Sequence, residues 1–200
     1  LNMLDSAVRY YGFSLSAFKS LNDTFNIMKT STIKGLAQQR MGDFKESAAL
    51  FKNGIDLFGP YWLSHEGEAN IGMKHLATMM TNLGISLRSL GKFDSSLYYH
   101  TESYNLKVEI EASSKIIARE MVNIGNVYSS MDRNSEAIEY FNEANKQFIE
   151  LNDNFYKRIC YNNIGLAFKR MGDTIQAISN YEESLKISRA TKNRRGIATS

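Results

Sequence analysis

Three asparagines, Asn82, Asn123 and Asn163, each stand two residues ahead of a glycine, at Gly84, Gly125 and Gly165. Two more lie beside that position: Asn126 follows Gly125, and Asn162 precedes Asn163. Asparagine is a mediocre helix former because its side chain competes for backbone hydrogen bonds, so its return in one register needs a reason. A carboxamide carries both a donor and an acceptor, which suits reading the alternating N–H and C=O groups of an extended peptide. The same amides can instead bond to neighbouring helices and stiffen a stack, and the two roles are compatible. Arg40, Arg88, Arg119, Lys169 and Arg170 are expected on the same inner face. Guanidinium groups make planar, bidentate contacts to carboxylates. An acidic peptide is therefore the expected ligand, unless local Glu and Asp neutralise this face.

Catalysis has little to work with. His65, Glu66 and Glu68 lie close together, but a two-histidine zinc helix needs its histidines at i and i+4. His75 and His100 fall in helical patterns, His100 at a packing position. Cys160 has no nearby histidine in sequence and reads as a small buried residue. No glycine-rich phosphate loop is present. The expectation is a non-enzyme that needs no metal and no cofactor.

The bulk composition narrows the partners. Of 200 residues, 43% are apolar and 22% charged, which is ordinary for a globular chain. A net charge of +3 is far from the dense positive charge of a dedicated nucleic-acid binder. No apolar run nears the roughly 18 residues of a membrane span. One cysteine cannot close an internal disulfide, so the fold does not depend on an oxidising compartment; the cytoplasm is the expected location, or the periplasm if the parent protein carries a signal peptide. The start Leu1-Asn2-Met3-Leu4 lacks an initiator methionine and a signal-peptide pattern, so the expectation is a piece cut from a longer protein.

The elements that must position these residues come from an internal repeat. Gly35, Gly84, Gly125 and Gly165 are spaced by 49, 41 and 40 residues. Seven residues after each come Gly42, Gly91, Asp132 and Gly172, where a left-handed residue would end a helix. Twelve after come the small Ser47, Ser96, Ala137 and Ala177, sixteen after Phe51, His100, Phe141 and Tyr181, nineteen after Gly54, Ser103, Ala144 and Ser184. Ala7, Tyr11 and Ser14 repeat the same triplet near the N-terminus. The spacing predicts two helices crossing closely, the glycine facing the small residue twelve later and the large residue filling the space beside it. Asp43, Asp94, Asn134 and Asp173 are the expected N-caps, and Asp43 with Glu46 forms a capping-box pattern.

Predicted helices cover roughly 2–20, 24–41, 44–58, 67–90, 93–110, 115–131, 134–150, 154–171 and 174–190, with another starting near 194. They group into a partial repeat over 1–23, repeats over about 24–66, 67–112, 113–152 and 153–192, and the start of a further one over 193–200. The insertion Phe58–Glu66 holds the only proline and the only tryptophan. It either anchors a partner or folds Tyr61 and Trp62 back into the gap between repeats.

The set Tyr161, Ile164, Gly165, Phe168, Ala177, Tyr181 and its copies resemble the tetratricopeptide repeat. The 40-residue period is similar to the long repeats of kinesin light chain, spindle-orientation adaptors and bacterial quorum-peptide receptors. The resemblance implies an all-α fold, a right-handed α-solenoid of antiparallel helix pairs. It implies a protein or peptide ligand on the concave face lined by the first helix of each repeat, where long-repeat members use such asparagines. It also implies a sensor or regulatory module of a larger bacterial signalling protein. Thr32, Thr81 and Val122 stand where the two-carboxylate clamp of short-repeat chaperone adaptors has its first lysine, so that subclass is not matched. The alternatives are a structural module that self-associates as a homodimer, and an RNA-binding repeat, which the charge disfavours.

Overall fold

The computed structural model describes residues 2–63 and 69–197. Among them lie nine helices: α1 (Asn2–Ser20), α2 (Thr24–Met41), α3 (Phe44–Leu63), α4 (Ala69–Ser89), α5 (Phe93–Glu109), α6 (Ser114–Ser130), α7 (Asn134–Glu150), α8 (Asn154–Arg170) and α9 (Thr174–Ile197). No strand occurs among the described residues. The fold class is the expected one, an all-α array of antiparallel helix pairs. Contacts gather into two compact units, Leu1–Glu111 and Ala112–Ser200. In the first, α1 to α5 pack each on the next and α2 also touches α4; in the second, α6 to α9 do the same and α6 also touches α8.

The helix ends follow from local chemistry. Gly42, Gly91 and Gly172 adopt φ of 83°, 72° and 82°, and Asp132 takes the same left-handed turn at 58°. The expected caps divide. Asp43 accepts the Glu46 N–H at 3.3 Å and Asp173 the Gln176 N–H at 3.0 Å. Asp94 and Asn134 sit inside the first turns of α5 and α7, whose cap positions are held by Lys92 and Arg133 without a side-chain cap. Counting eight residues from the glycine aligns Lys92 and Arg133 with Asp43 and Asp173, which explains the slip. Two caps went unforeseen: Asp23 accepts from Asn26 N–H and Asp153 from Tyr156 N–H, each at 3.1 Å. The second helices also end on left-handed residues, Asn22, Glu111 and Asn152.

Two helices run longer than predicted. The backbone of α3 stays helical through Pro60 to Leu63, because Phe58 is buried in the core and holds the segment against its neighbours. Residues 64–68 and the side chains of Tyr61 and Trp62 lie outside what the structure describes. The helix expected to restart near 194 is instead the end of α9. Position 192, one period after Asn152, carries Lys, and neither Gly nor Pro intervenes before Gly196 to break the helix.

The core follows the repeat. A Cβ on Gly35, Gly84, Gly125 or Gly165 would meet the ring sixteen residues later: Phe51 at 2.8 Å, His100 at 2.6 Å, Phe141 at 2.6 Å and Tyr181 at 2.9 Å. The ring lies against the glycine, and the small residue at +12 meets it as well: a Cβ on Gly165 would stand 3.1 Å from Ala177 O, and Ser96 Oγ donates to Gly84 O at 2.7 Å. At +19, Ser103 Oγ donates to Ala77 O at 2.8 Å and Ser184 Oγ to Arg158 O at 3.2 Å, fixing the same two turns together in each unit. His100 and Cys160 are wholly buried, as packing residues should be. Burial pushes the Cys160 thiol up to about 12, so it stays protonated and unreactive.

Candidate functional site

Heptad spacing on two neighbouring helices builds the site in the second unit. Arg119 and Asn126 are seven residues apart on α6, and Tyr156, Asn163 and Arg170 are seven apart on α8. Residues at this spacing share one helix face, and here they meet along the α6/α8 seam. At one end the Arg119 guanidinium carbon lies 5.5 Å from the centroid of the Tyr156 ring. In the middle Asn163 Nδ2 donates to Asn126 Oδ1 at 3.1 Å. At the other end Arg170 donates to Ser129 O at 2.6 Å and to Ser129 Oγ at 2.8 Å. On α8 the three residues stand about 10.5 Å apart along the helix axis, at 1.5 Å of rise per residue, while on α6 Ser129 lies only about 4.5 Å beyond Asn126.

The middle rung spends half of each amide. Asn163 keeps its carbonyl oxygen and Asn126 keeps its NH2 group, so an acceptor and a donor remain side by side. Asn123 sits next to this pair, with Nδ2 3.5 Å from the buried Glu120 carboxylate. Asn162 and Lys169 are exposed on the adjoining stripe of α8, in line with Phe155. Tyr156 is braced from behind by Phe148, stacked at 4.8 Å and 15°. Lys115 approaches the same ring to 5.7 Å and pairs with Asp153 at 2.7 Å. Lys115, Ser129, Asp153 and Tyr156 escaped the sequence reading. The seven-residue steps that tie Tyr156 to Asn163 and Arg170 would have found the ring.

The Asp153 carboxyl is pulled two ways. Burial raises its pKa, but Lys115 and the Tyr156 N–H favour the ionised form more, and the net direction is down. A carboxylate with a depressed folded-state pKa stabilises the fold above its unfolded value of about 3.9, and that contribution is lost as pH falls through the folded value. Asp153→Ala is expected to cost about 1 kcal/mol at pH 7. Urea unfolding repeated near pH 3 should show a smaller cost.

The first unit uses the matching positions differently. Asn82 Nδ2 donates to Thr78 O of its own helix at 2.8 Å, and its backbone carbonyl accepts from Gln39 Nε2 at 2.7 Å. Gln39 Nε2 also donates to Ser86 Oγ at 2.7 Å. Where the second unit has Lys115 and Tyr156, this one has Phe25 and His75, their rings edge-on at 6.1 Å. Burial, with Lys29 second, holds the His75 pKa below its ordinary value and so favours the neutral ring. Arg40 is exposed in the last turn of α2, and Arg88 is half-buried on α4. The structure thus brings Arg119, Asn123, Asn126, Asn163 and Arg170 together in one unit, while Asn82, Arg40 and Arg88 belong to the other.

A separate groove of about 470 Å³ lies where the end of α7 and the helices α8 and α9 meet, lined by Lys157, Tyr161, Lys186 and Ile187 among others. No group of three His, Cys, Asp or Glu side chains able to hold a metal occurs among the described residues. None of the described helices is long and apolar enough to cross a membrane.

Comparison with known proteins fits this geometry. Tetratricopeptide-repeat family models match residues 76–109 and 116–190. A search of curated protein sequences finds no match. Among solved structures, the chain is similar to aspartyl phosphate phosphatase F from Bacillus subtilis (TM-score 0.77, 17% identity, covering 94% of this chain and 48% of that one). It is similar to a protein from Podosopora anserina described as a kinesin light chain with nearly identical TPR-like repeats (TM-score 0.78, 11% identity, 96% and 90% covered). It is also similar to a signal transduction ATPase with numerous domains carrying a tetratricopeptide repeat sensor, from Pyrococcus horikoshii (TM-score 0.71, 12% identity, 86% and 25% covered). The chain spans about half of the first of these and a quarter of the last. It belongs to the tetratricopeptide-repeat family, whose helical arrays serve as scaffolds for protein–protein interaction.

Proposed function

We propose that the chain is a peptide-binding scaffold whose ligand is an extended, acidic segment lying along the α6/α8 seam. The observation that carries this reading is the Asn126–Asn163 pair, bonded to each other at 3.1 Å and still offering one donor and one acceptor. An extended peptide presents that complement in its own backbone and advances about 3.3 Å per residue. Both amides are half-buried, which limits competition from water. Their mutual bond fixes them in advance and lowers the entropic cost of binding. We place the chain in the sensor or regulatory part of a larger signalling protein. The repeat sensor named for the Pyrococcus horikoshii ATPase and the apo form of RapI (TM-score 0.68, 11% identity) support that placement by likeness of fold.

The test is selection of random octapeptides from a display library on the intact chain. Affinities of the recovered peptides are then measured for the parent and for an Asn126→Ala, Asn163→Ala variant. Two lost amide contacts of about 0.5–1.5 kcal/mol each should weaken binding roughly 5- to 150-fold, with the melting temperature showing that the variant stays folded. Unchanged affinity for every recovered peptide would contradict the proposal.

A second reading, self-association, is favoured by one observation: Ile175, Ile178 and Leu185 of α9 are exposed at 81%, 52% and 48%. Under it, light scattering would give a mass that rises with concentration and falls back on Ile175→Ser.

A further inference from the structure

The groove where α7, α8 and α9 meet is built from different residues than the α6/α8 seam, and its chemistry differs. Helix α8 packs against both α7 and α9, but among the described residues those two do not pack on each other. A trough opens between them along the first turns of α8. Its floor is one face of α8, where Asn154, Lys157 and Tyr161 follow at steps of three and four residues. One wall is the face of α9 that carries Glu183, Lys186 and Ile187, and Ile149 closes the side of α7. Donors dominate this lining. Lys157 is half-buried, and its Nζ donates to the neutral Asn154 Oδ1 at 3.2 Å. It pairs with no carboxylate among the described residues, and the Tyr161 hydroxyl makes no hydrogen bond among them. The one acid in the lining, Glu183, reaches Lys186 at 3.3 Å with side chains 46% and 76% exposed. A pair so open to water offsets Lys186 only weakly. Two lysines against one glutamate leave a net positive charge, and the cation without a counter-ion is the half-buried one, where an anion is most favoured.

We infer that this groove is a second binding site, for a small organic anion with a compact apolar body and one oxyanion headgroup. Lys157 and the Tyr161 hydroxyl receive the headgroup, Lys186 adds attraction, and Ile149 and Ile187 cover the body. Size selects this class of ligand. A volume of about 470 Å³ lies in the range that takes drug-sized molecules. The α9 wall from Glu183 to Ala190 runs only about 10.5 Å. A partner helix long enough to be stable, roughly 12–15 residues or about 18–22 Å, would overrun it. Tyr161 and Asn163 stand about 200° apart around α8, so the groove and the seam use opposite faces of that helix and can be filled together.

The probe is 8-anilinonaphthalene-1-sulfonate, an aromatic sulfonate whose fluorescence rises when it leaves water, titrated into the intact chain. N-phenyl-1-naphthylamine, the same ring body without the sulfonate, is the neutral comparison. The sulfonate should bind as one saturable equivalent. Lys157→Gln should weaken it about tenfold, as expected for a charge-assisted contact, and leave the neutral probe unaffected. Tyr161→Phe should weaken it several-fold. Glu183→Gln should act in the opposite direction and tighten sulfonate binding by up to about fivefold, because it frees Lys186. Melting temperatures show that each variant stays folded. In a nuclear magnetic resonance titration, the backbone amide signals of Lys157, Tyr161 and Ile187 should move with the sulfonate while the side-chain amides of Asn126 and Asn163 stay in place. Sulfonate binding indifferent to both Lys157→Gln and Glu183→Gln would overturn the inference. So would binding at the exposed Ile175 and Ile178 with the groove signals unmoved, or no saturable binding at millimolar probe. Each of these results leaves the peptide reading of the seam untouched, since that reading is measured by peptide affinity.

Discussion

Phe141→Ala is expected to lower the unfolding free energy by about 3–5 kcal/mol, the usual cost of emptying a fully buried phenylalanine site. The ring is 1% exposed and sits over Gly125, where a Cβ would stand 2.6, 2.8 and 3.1 Å from its atoms. That proximity makes a second, sign-changing expectation. Gly125→Ala alone gains up to about 1 kcal/mol of intrinsic helix stability. It forces the ring aside at about 1–3 kcal/mol, so it destabilises on balance. In the Phe141→Ala background the nearest obstacle, the ring, is gone, so the propensity gain should outweigh what remains and Gly125→Ala is expected to stabilise. Urea unfolding of the parent, both single variants and the double variant gives the coupling directly. A Gly125→Ala effect of the same sign and size in both backgrounds would mean that the ring does not rest on the glycine.

Ala137→Leu is expected to destabilise by about 1–3 kcal/mol. Ala137 is fully buried at the position of α7 twelve residues after Gly125, where the second helix crosses the first. Three added carbons have no space there, and overpacking displaces side chains or backbone. Lys146→Ala, on an exposed position of the same helix, is the control and should stay within about 0.5 kcal/mol. Its partner Glu143, at 2.9 Å, is also exposed, and such pairs contribute little. Equal effects from the two substitutions would remove the packing register on which the site's placement depends.

The repeat was legible because sterics wrote it. A glycine under a ring, a small residue at a crossing and a left-handed residue at a helix end each tolerate few alternatives, so they recur at fixed spacing. The cap slip at Asp94 and Asn134 shows the limit. Where Lys92 and Arg133 fill the cap position, a nearby Asp or Asn draws the eye although nothing in the geometry uses it as a cap. The asparagine ladder was legible as a register but not as a contact. Asn82 bonds to its own helix through Thr78, whereas Asn163 bonds across to Asn126, and one-dimensional spacing cannot separate those outcomes. Tyr156 was missed because its role depends on Phe148 behind it and Arg119 in front, neighbours brought together by helix packing.

The direct measurement of the central claim is a nuclear magnetic resonance titration of the intact, 15N-labelled chain with a library-selected octapeptide. The account predicts that the side-chain amide signals of Asn126 and Asn163 and the Nε–H signal of Arg119 shift together and saturate at one common concentration. Signals from exposed Lys146 and its neighbours on α7 should stay in place. Saturating shifts confined to the groove around Lys157, Tyr161 and Lys186, with the Asn126, Asn163 and Arg119 signals unmoved, would contradict it.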